Sequence, residues 1–162
     1  MEIRTVRAAE HEGLAALTVE AYTSLPGDVI QPDYRAELAD VAGRAAVATV
    51  LVAVDSAGAL LGGVTLVPGP DNPLAEHTVD GASSMRMLAV APDVQGQGIG
   101  EALVRACIAR TAGAGATELV LHTAGWMHSA HRLYARLGFR RDPALDWTPA
   151  PGVDLLGFRL SL

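Results

Sequence analysis

Hydrophobic and polar positions change period several times along the chain, and each change marks an element. Ile3 to Arg7 alternate and predict a first strand. From Glu10 to Tyr22, the residues Leu14, Leu17, Val19 and Ala21 suit a helix, which Leu25-Pro26-Gly27-Asp28 breaks. Pro32 to Val41 predicts a second, less regular helix, with proline acceptable in its first turn. Ala48 to Asp55 and Ala59 to Val67 are apolar, β-branched-rich runs joined by Ser56-Ala57-Gly58, which predicts a hairpin. Pro68 to Asp80 follows as an exposed loop with prolines at 68, 70 and 73. Loops of this length are often functional.

The most informative stretch is Ser84 to Ile108. Met85 to Val90 is a short run rich in large side chains, as in a buried strand, and Pro92 and Asp93 stop it. Gln95-Gly96-Gln97-Gly98-Ile99-Gly100 comes next and opens a helical pattern. Ile99, Ala102, Leu103, Ala106 and Cys107 form the apolar stripe, Val104 and Ile108 widen it, and Glu101 and Arg105 pair on the exposed side. Gly113 and Gly115 end this helix. Thr117 to Thr123 predicts a strand. Trp126 to Leu137 predicts a helix with Ala130, Leu133, Tyr134 and Leu137 on one face and Gly138 as its stop. Phe139 to Arg141 starts another strand, Pro143 to Gly152 holds three prolines, and Val153 to Leu160 makes a last strand. The order is βααβββαβαββ.

Composition narrows the class. A chain of 162 residues without repeats or a long linker suits one domain over residues 1–162. Half of the residues are apolar and 19% charged, so the chain folds. With two Phe, three Tyr and two Trp, the core must be Ala, Val and Leu. A net charge of −6 argues against nucleic acid or an anionic membrane as partner. It suits a cationic substrate, and equally plain solubility. The single cysteine, Cys107, excludes an internal disulfide or a multi-cysteine metal site and reads as core. The N-terminus is charged from Glu2 onward, without a signal peptide or membrane span, so a cytoplasmic protein is expected.

A strand, a glycine-rich turn and a helix start make an anion site by geometry. The first helical turn has unpaired N–H groups and the positive end of the macrodipole. Glycines at alternate positions remove the Cβ atoms that would keep a phosphate away. A Walker loop ends in Gly-Lys-Ser/Thr, and this chain contains no lysine, its 12 basic residues all being arginine. A dinucleotide fingerprint would need glycine where Glu101 stands. Absence of lysine also excludes Schiff-base chemistry.

Leu88-x-Val90-x-Pro92 followed by Gln95-x-x-Gly98-x-Gly100 resembles the coenzyme-A signature of the GNAT acetyltransferase superfamily, Q/R-x-x-G-x-G/A. A second segment, Ala130-x-x-Leu133-Tyr134-x-x-Leu137-Gly138-Phe139, is similar to that family's helix-turn motif, and the element order also agrees. The resemblance covers nearly the whole chain. It implies an α/β (α+β) GNAT fold, a mixed, mainly antiparallel twisted sheet of about seven strands with helices on both faces. It further implies acetyl-CoA as co-substrate, without a metal. Gln95, Gly96, Gln97, Gly98, Ile99 and Gly100 would hold the pyrophosphate. The backbone of Met87, Leu88, Ala89 and Val90 would pair with the pantetheine arm as an added strand, and an N–H near Leu88 would polarise the thioester carbonyl. Ala130 would touch the coenzyme, and Tyr134 would act as general acid toward the departing thiolate; packing in the apolar stripe is the alternative for Tyr134.

This sequence departs from the family twice. Met127 stands where an Asn commonly contacts the coenzyme, and the only asparagine is Asn72. The central strand carries Ser84 and Arg86 where many members have an acid that deprotonates the amine. His122, whose type titrates near neutrality, is the candidate base; a half-buried histidine bonded to backbone is the alternative. Glu76 and His77 in the long loop either reach the site or face solvent. His128 and His131, spaced i,i+3, read as a solvated helix face rather than metal ligands. Arg86, expected by alternation on the same side as Leu88 and Val90, either binds a substrate carboxylate or pairs with an internal acid. Tyr22, Tyr34, Trp126 and Trp147 are candidates for the acceptor pocket, with ordinary packing as the alternative. The resulting expectation is an N-acetyltransferase acting on a small-molecule amine. A protein N-terminal or lysine acetyltransferase and a non-catalytic acyl-CoA-binding module are the alternatives, and a homodimer is left open.

Overall fold

The computed structural model describes residues 1–25 and 30–162, so Pro26, Gly27 and Asp28 of the expected helix break lie outside the described residues. One eight-stranded sheet organises the chain. Strand β1 (Glu2–Thr5) is followed by α1 (His11–Thr23), α2 (Pro32–Ala39) and α3 (Val41–Val47). The hairpin β2 (Thr49–Val54) and β3 (Leu60–Val67) leads through the long loop to β4 (Ala82–Val90), α4 (Ile99–Gly113) and β5 (Glu118–Ala124). Then come α5 (His128–Arg136), β6 (Arg140–Arg141), β7 (Trp147–Ala150) and β8 (Val153–Ser161). Among the described residues only the β4–β5 pair is parallel, and the mixed, mainly antiparallel α/β fold expected from the sequence is present. No helix among the described residues is long and apolar enough to cross a membrane.

Two elements differ from the sequence expectation. The second helix stops at Ala39, because Asp40 leaves helical geometry and its side chain accepts the Gly43 N–H, capping a separate helix α3. The proline-rich 143–152 segment includes β7, which pairs with β8 together with β6. Its Pro149 sits on the sheet's outer edge, where a missing N–H costs no ladder bond.

The larger core lies between the sheet and helices α4 and α5, around Leu51, Val64, Met85, Leu103, Val104, Leu119, Leu121, Tyr134 and Phe158. Burying a leucine such as Leu103 fully stabilises the fold by roughly 1.5–3 kcal/mol. On the opposite face Leu14, Leu17 and Ala21 of α1 pack on Val50, Val52, Val54 and Ala89.

Between the pairs Gly63↔Ala89 and Thr65↔Arg86, β3 advances two residues and β4 three, so β4 carries a bulge. Met87 takes φ 54° there, the one positive φ outside glycine among the described residues, a conformation that costs a side-chain-bearing residue about 1–2 kcal/mol. The bulge shifts the alternation. Met85, Leu88 and Val90 all face the α4 core, whereas Ala89 meets α1 and Arg86 reaches Glu37 of α2. Arg86 therefore does not share a face with Leu88 and Val90, which corrects the expectation from simple alternation.

β4 and β5 pair from Ala82↔Glu118 to Met85↔Leu121 and no further, although β4 continues to Val90 and β5 to Ala124. Beyond that point β4 stays with β3 as far as Gly62↔Val90, and β5 stays with β8 as far as Ala124↔Leu155. Each strand follows its outer neighbour, and a wedge opens between them.

Candidate active site

At the end of β4 a single 3-10 turn, Pro92–Val94, leads into the glycine-rich segment. Gly96 and Gly98 have φ of 78° and 81°, a region that glycine enters without cost. Gly98 is the N-cap of α4 and offers no side chain, and the Ala102 N–H closes onto the Gly98 carbonyl at 3.0 Å. The N–H groups ahead of it belong to the unpaired first turn. A Cβ built on Gly96 or Gly98 would meet no heavy atom within 4 Å, so the outside of the turn is open. Gln95 donates from Nε2 to the Val90 carbonyl at 3.2 Å, tying the turn to the strand. This fits the diphosphate of a nucleotide coenzyme: backbone donors, a helix N-terminus and no obstructing side chain.

A cavity of about 70 Å³ occupies the wedge. Its lining comes from α1 (Tyr22), β4 (Met85 to Leu88), β5 (His122 and Thr123), Met127, and α5 (Ala130 and Tyr134). Tyr134 belongs to the α4 and α5 side, where it packs against Phe139 and Phe158 with ring centroids 5.7 and 6.3 Å away. It is 6% exposed, and burial pushes its phenol well above the ordinary value, so it stays protonated at neutral pH.

The other side is built from charges. Arg86 donates to the Leu74 carbonyl at 3.1 Å and pairs with Glu76 at 2.9 Å and Glu37 at 3.9 Å. Glu76 also lies 3.8 Å from Nδ1 of His122. The His122 ring is closed in by Trp147, at 6.5 Å between centroids, and its Nε2 meets the Leu145 carbonyl at 2.7 Å. Behind them Arg44, 4% exposed, donates to the carbonyls of Glu37 and Leu38 and to the Thr65 hydroxyl. It fastens the last turn of α2 to β3, and burial lowers its pKa from the usual guanidinium value.

Most residues singled out from sequence meet here. Tyr22 lines the cavity with Tyr34 edge-on against it at 6.2 Å, and Trp147 covers His122. Trp126, 42% exposed in the turn before α5, does not line the cavity. Of the two readings of Arg86, the structure displays the internal ion pair. Of the two readings of His122, the structure displays the bond to backbone, and its other ring nitrogen faces the Glu76 carboxylate. Cys107 is fully buried, with its thiol pushed up to about 12 by burial. His131 bonds the Ala124 carbonyl and packs on Phe158, and no group of three or more metal-ligating side chains occurs among the described residues.

Two features escape sequence reasoning. Glu76 is a sequence candidate to reach the site, but its pairing with Arg86 ten positions later is a contact without a motif. The bulge at Met87 leaves a trace only in the partner strand, where Gly62 allows the Ala89 carbonyl to approach to 2.5 Å of a would-be Cβ.

An open glycine turn, a wedge beside it, and a phenol and an imidazole on its two sides make up the candidate site. The sequence profile of the Acetyltransferase (GNAT) family matches residues 12–139, and the chain belongs to that family. Solved structures agree in fold. A GNAT-family acetyltransferase from Staphylococcus aureus Mu50 superposes with a TM-score of 0.79 at 17% identity, over 99% of this chain and 98% of its own. A putative acetyltransferase from Salmonella typhimurium, solved with acetyl-CoA, gives 0.69 at 21% identity over 100% and 94%. The PaiA N-acetyltransferase of Thermoplasma acidophilum, in complex with coenzyme A, gives 0.76 at 14% over 99% and 98%. No curated protein matches the chain in sequence.

Proposed function

We propose that this protein transfers the acetyl group of acetyl-CoA to a primary amine of a small molecule by direct attack. The observation that carries this reading is the wedge between β4 and β5, with the open glycine turn at one end, Tyr134 on one side and His122 on the other. Bound there, acetyl-CoA supplies an activated thioester carbonyl.

The N–H groups of residues 96–100 hold the diphosphate, and the unpaired edge of β4 from Met87 to Val90 takes the pantetheine arm. An N–H near Leu88 donates to the carbonyl oxygen as negative charge develops on it. Tyr134 donates its hydroxyl proton toward the departing sulfur. On the acceptor side, His122 removes a proton from the amine. Its Nε2 faces a carbonyl that can only accept, so in the neutral ring Nε2 carries the hydrogen and Nδ1 keeps its lone pair. In this reading Tyr22, Arg86 and His122 wall the acceptor end of the cavity.

The test is thiol release from acetyl-CoA by the purified protein with primary amines, amino acids, polyamines and peptides. Turnover with small amines supports the proposal. Turnover confined to peptides moves the acceptor to proteins, and coenzyme binding without turnover across the panel leaves an acyl-CoA-binding module.

A further inference from the structure

We infer that Glu76, delivered by the loop between β3 and β4 and clamped by Arg86, is the positioning residue that charge-compensates His122 and so replaces the acid missing from the central strand. The inference rests on the acetyltransferase reading of the same cavity.

Three observations carry it. His122 is 3% exposed in its side chain and has its Nε2 occupied by the Leu145 carbonyl, which fixes the ring plane and leaves Nδ1 as the only basic atom. The carboxylate facing that atom is Glu76, with Oε2 at 3.8 Å. This is ion-pair range but longer than a hydrogen bond. Glu76 is itself held: its Oε1 meets Arg86 at 2.9 Å, and Arg86 also binds the Leu74 carbonyl of the same loop. The carboxylate is therefore prepaid in position, and Arg86 serves the site by holding the loop.

The other groups around the ring leave this role to Glu76. Asp146 senses the His122 charge, but it accepts from Arg141 and from the Gly157 N–H. Glu37 reaches Arg86 at 3.9 Å and is largely exposed. His77 is near His122 and is 8% exposed; its Nδ1 accepts the Val79 N–H, and burial lowers its pKa first, so it stays neutral and does not compete for the proton. Trp147 covers the ring without charge.

The step balances simply. An N–H bond of the acceptor ammonium breaks, an Nδ1–H bond forms on His122, and one positive charge moves from the acceptor to the imidazole ring beside the Glu76 carboxylate. No proton passes to Glu76.

Glu76→Gln keeps the size of the side chain while removing its charge, and Arg86 keeps its bond to the Leu74 carbonyl. Its kcat with the best amine should fall about 10- to 100-fold, as for other residues that orient a functional imidazole, with the KM for acetyl-CoA unchanged. The acidic limb of its kcat/KM profile should move to lower pH, and Glu76→Asp should restore it in part. A ring NMR titration of His122 gives a readout independent of turnover, and its midpoint should fall in Glu76→Gln. An unmoved limb together with an unmoved ring titration overturns the inference, leaving Glu76 as a fastening for the loop. A ring titration that moves in a protein that acetylates none of the amines supports the charge pairing and sinks the acetyltransferase reading instead.

Discussion

The two sides of the wedge are made of different material. Toward α4, the donor side is backbone: glycine N–H groups, the unpaired edge of β4 and one buried phenol. Toward α1 and α2, the acceptor side is a set of charged side chains from α2, the long loop, β4 and β5 that neutralise one another. Backbone donors have no charge to compensate and no rotamer to fix, so the donor side stands ready in the unliganded chain. The acceptor side depends on one arginine holding one carboxylate in place. Damage to the backbone donors of the first should show as lost coenzyme affinity, damage to its phenol as lost turnover, and damage to the second as lost turnover or acceptor affinity.

The largest effect is expected at the turn. Gly98→Val places a β-branched residue at φ 81° and a side chain in the phosphate space. Losing two or more charge-assisted hydrogen bonds, at about 1.5–3 kcal/mol each, should weaken acetyl-CoA by about 10²-fold or more in calorimetry. Unchanged affinity would break the donor-side half of the comparison. Tyr134→Phe comes next. It should lower kcat by about 10²-fold, within the range of general acid catalysis, with coenzyme affinity retained; an unimpaired variant would reduce Tyr134 to packing.

These two positions were also the most legible in the sequence, and for a physical reason. A phosphate turn is contiguous: strand, glycines and helix start lie within residues 85–113, and the glycine pattern directly encodes the backbone angles. Tyr134 sits on one face of a single helix, so its period reveals its side. The acceptor side was only partly legible, because Glu37, Glu76, Arg86 and His122 come from four segments and each polar residue alone resembles a solvated one. Alternation also failed at Arg86, since one inserted residue at Met87 reverses the face of everything beyond it. The short helix α3 was hidden for a similar reason: its capping Asp40 lay inside a stretch whose overall pattern was helical.

Two smaller effects sharpen the acceptor side. Arg44→Leu leaves the Leu38 carbonyl without its side-chain donor, while the Glu37 carbonyl keeps the Asp40 N–H. An orphaned buried group costs about 1–3 kcal/mol, so denaturant unfolding should show a loss of about 1–3 kcal/mol, accompanied by a higher KM for the acceptor as α2 loosens. Stability lost without any change in acceptor KM would separate α2 from the site. Trp147→Ala removes the ring beside His122. An aromatic contact is worth about 0.5–1.5 kcal/mol, so acceptor KM should rise about threefold to tenfold while acetyl-CoA affinity stays constant. A parallel loss of coenzyme affinity would show that the two sides are not independent.

The central claim is that the splayed strands seat the donor so that its reacting end lies between Tyr134 and His122. A crystal structure with coenzyme A tests it directly. The account predicts the diphosphate on the N–H groups of residues 96–100, the pantetheine arm along Met87 to Val90, and the sulfur within hydrogen-bond reach of the Tyr134 hydroxyl. A coenzyme bound elsewhere, with the glycine turn bare and the wedge closed, would contradict it.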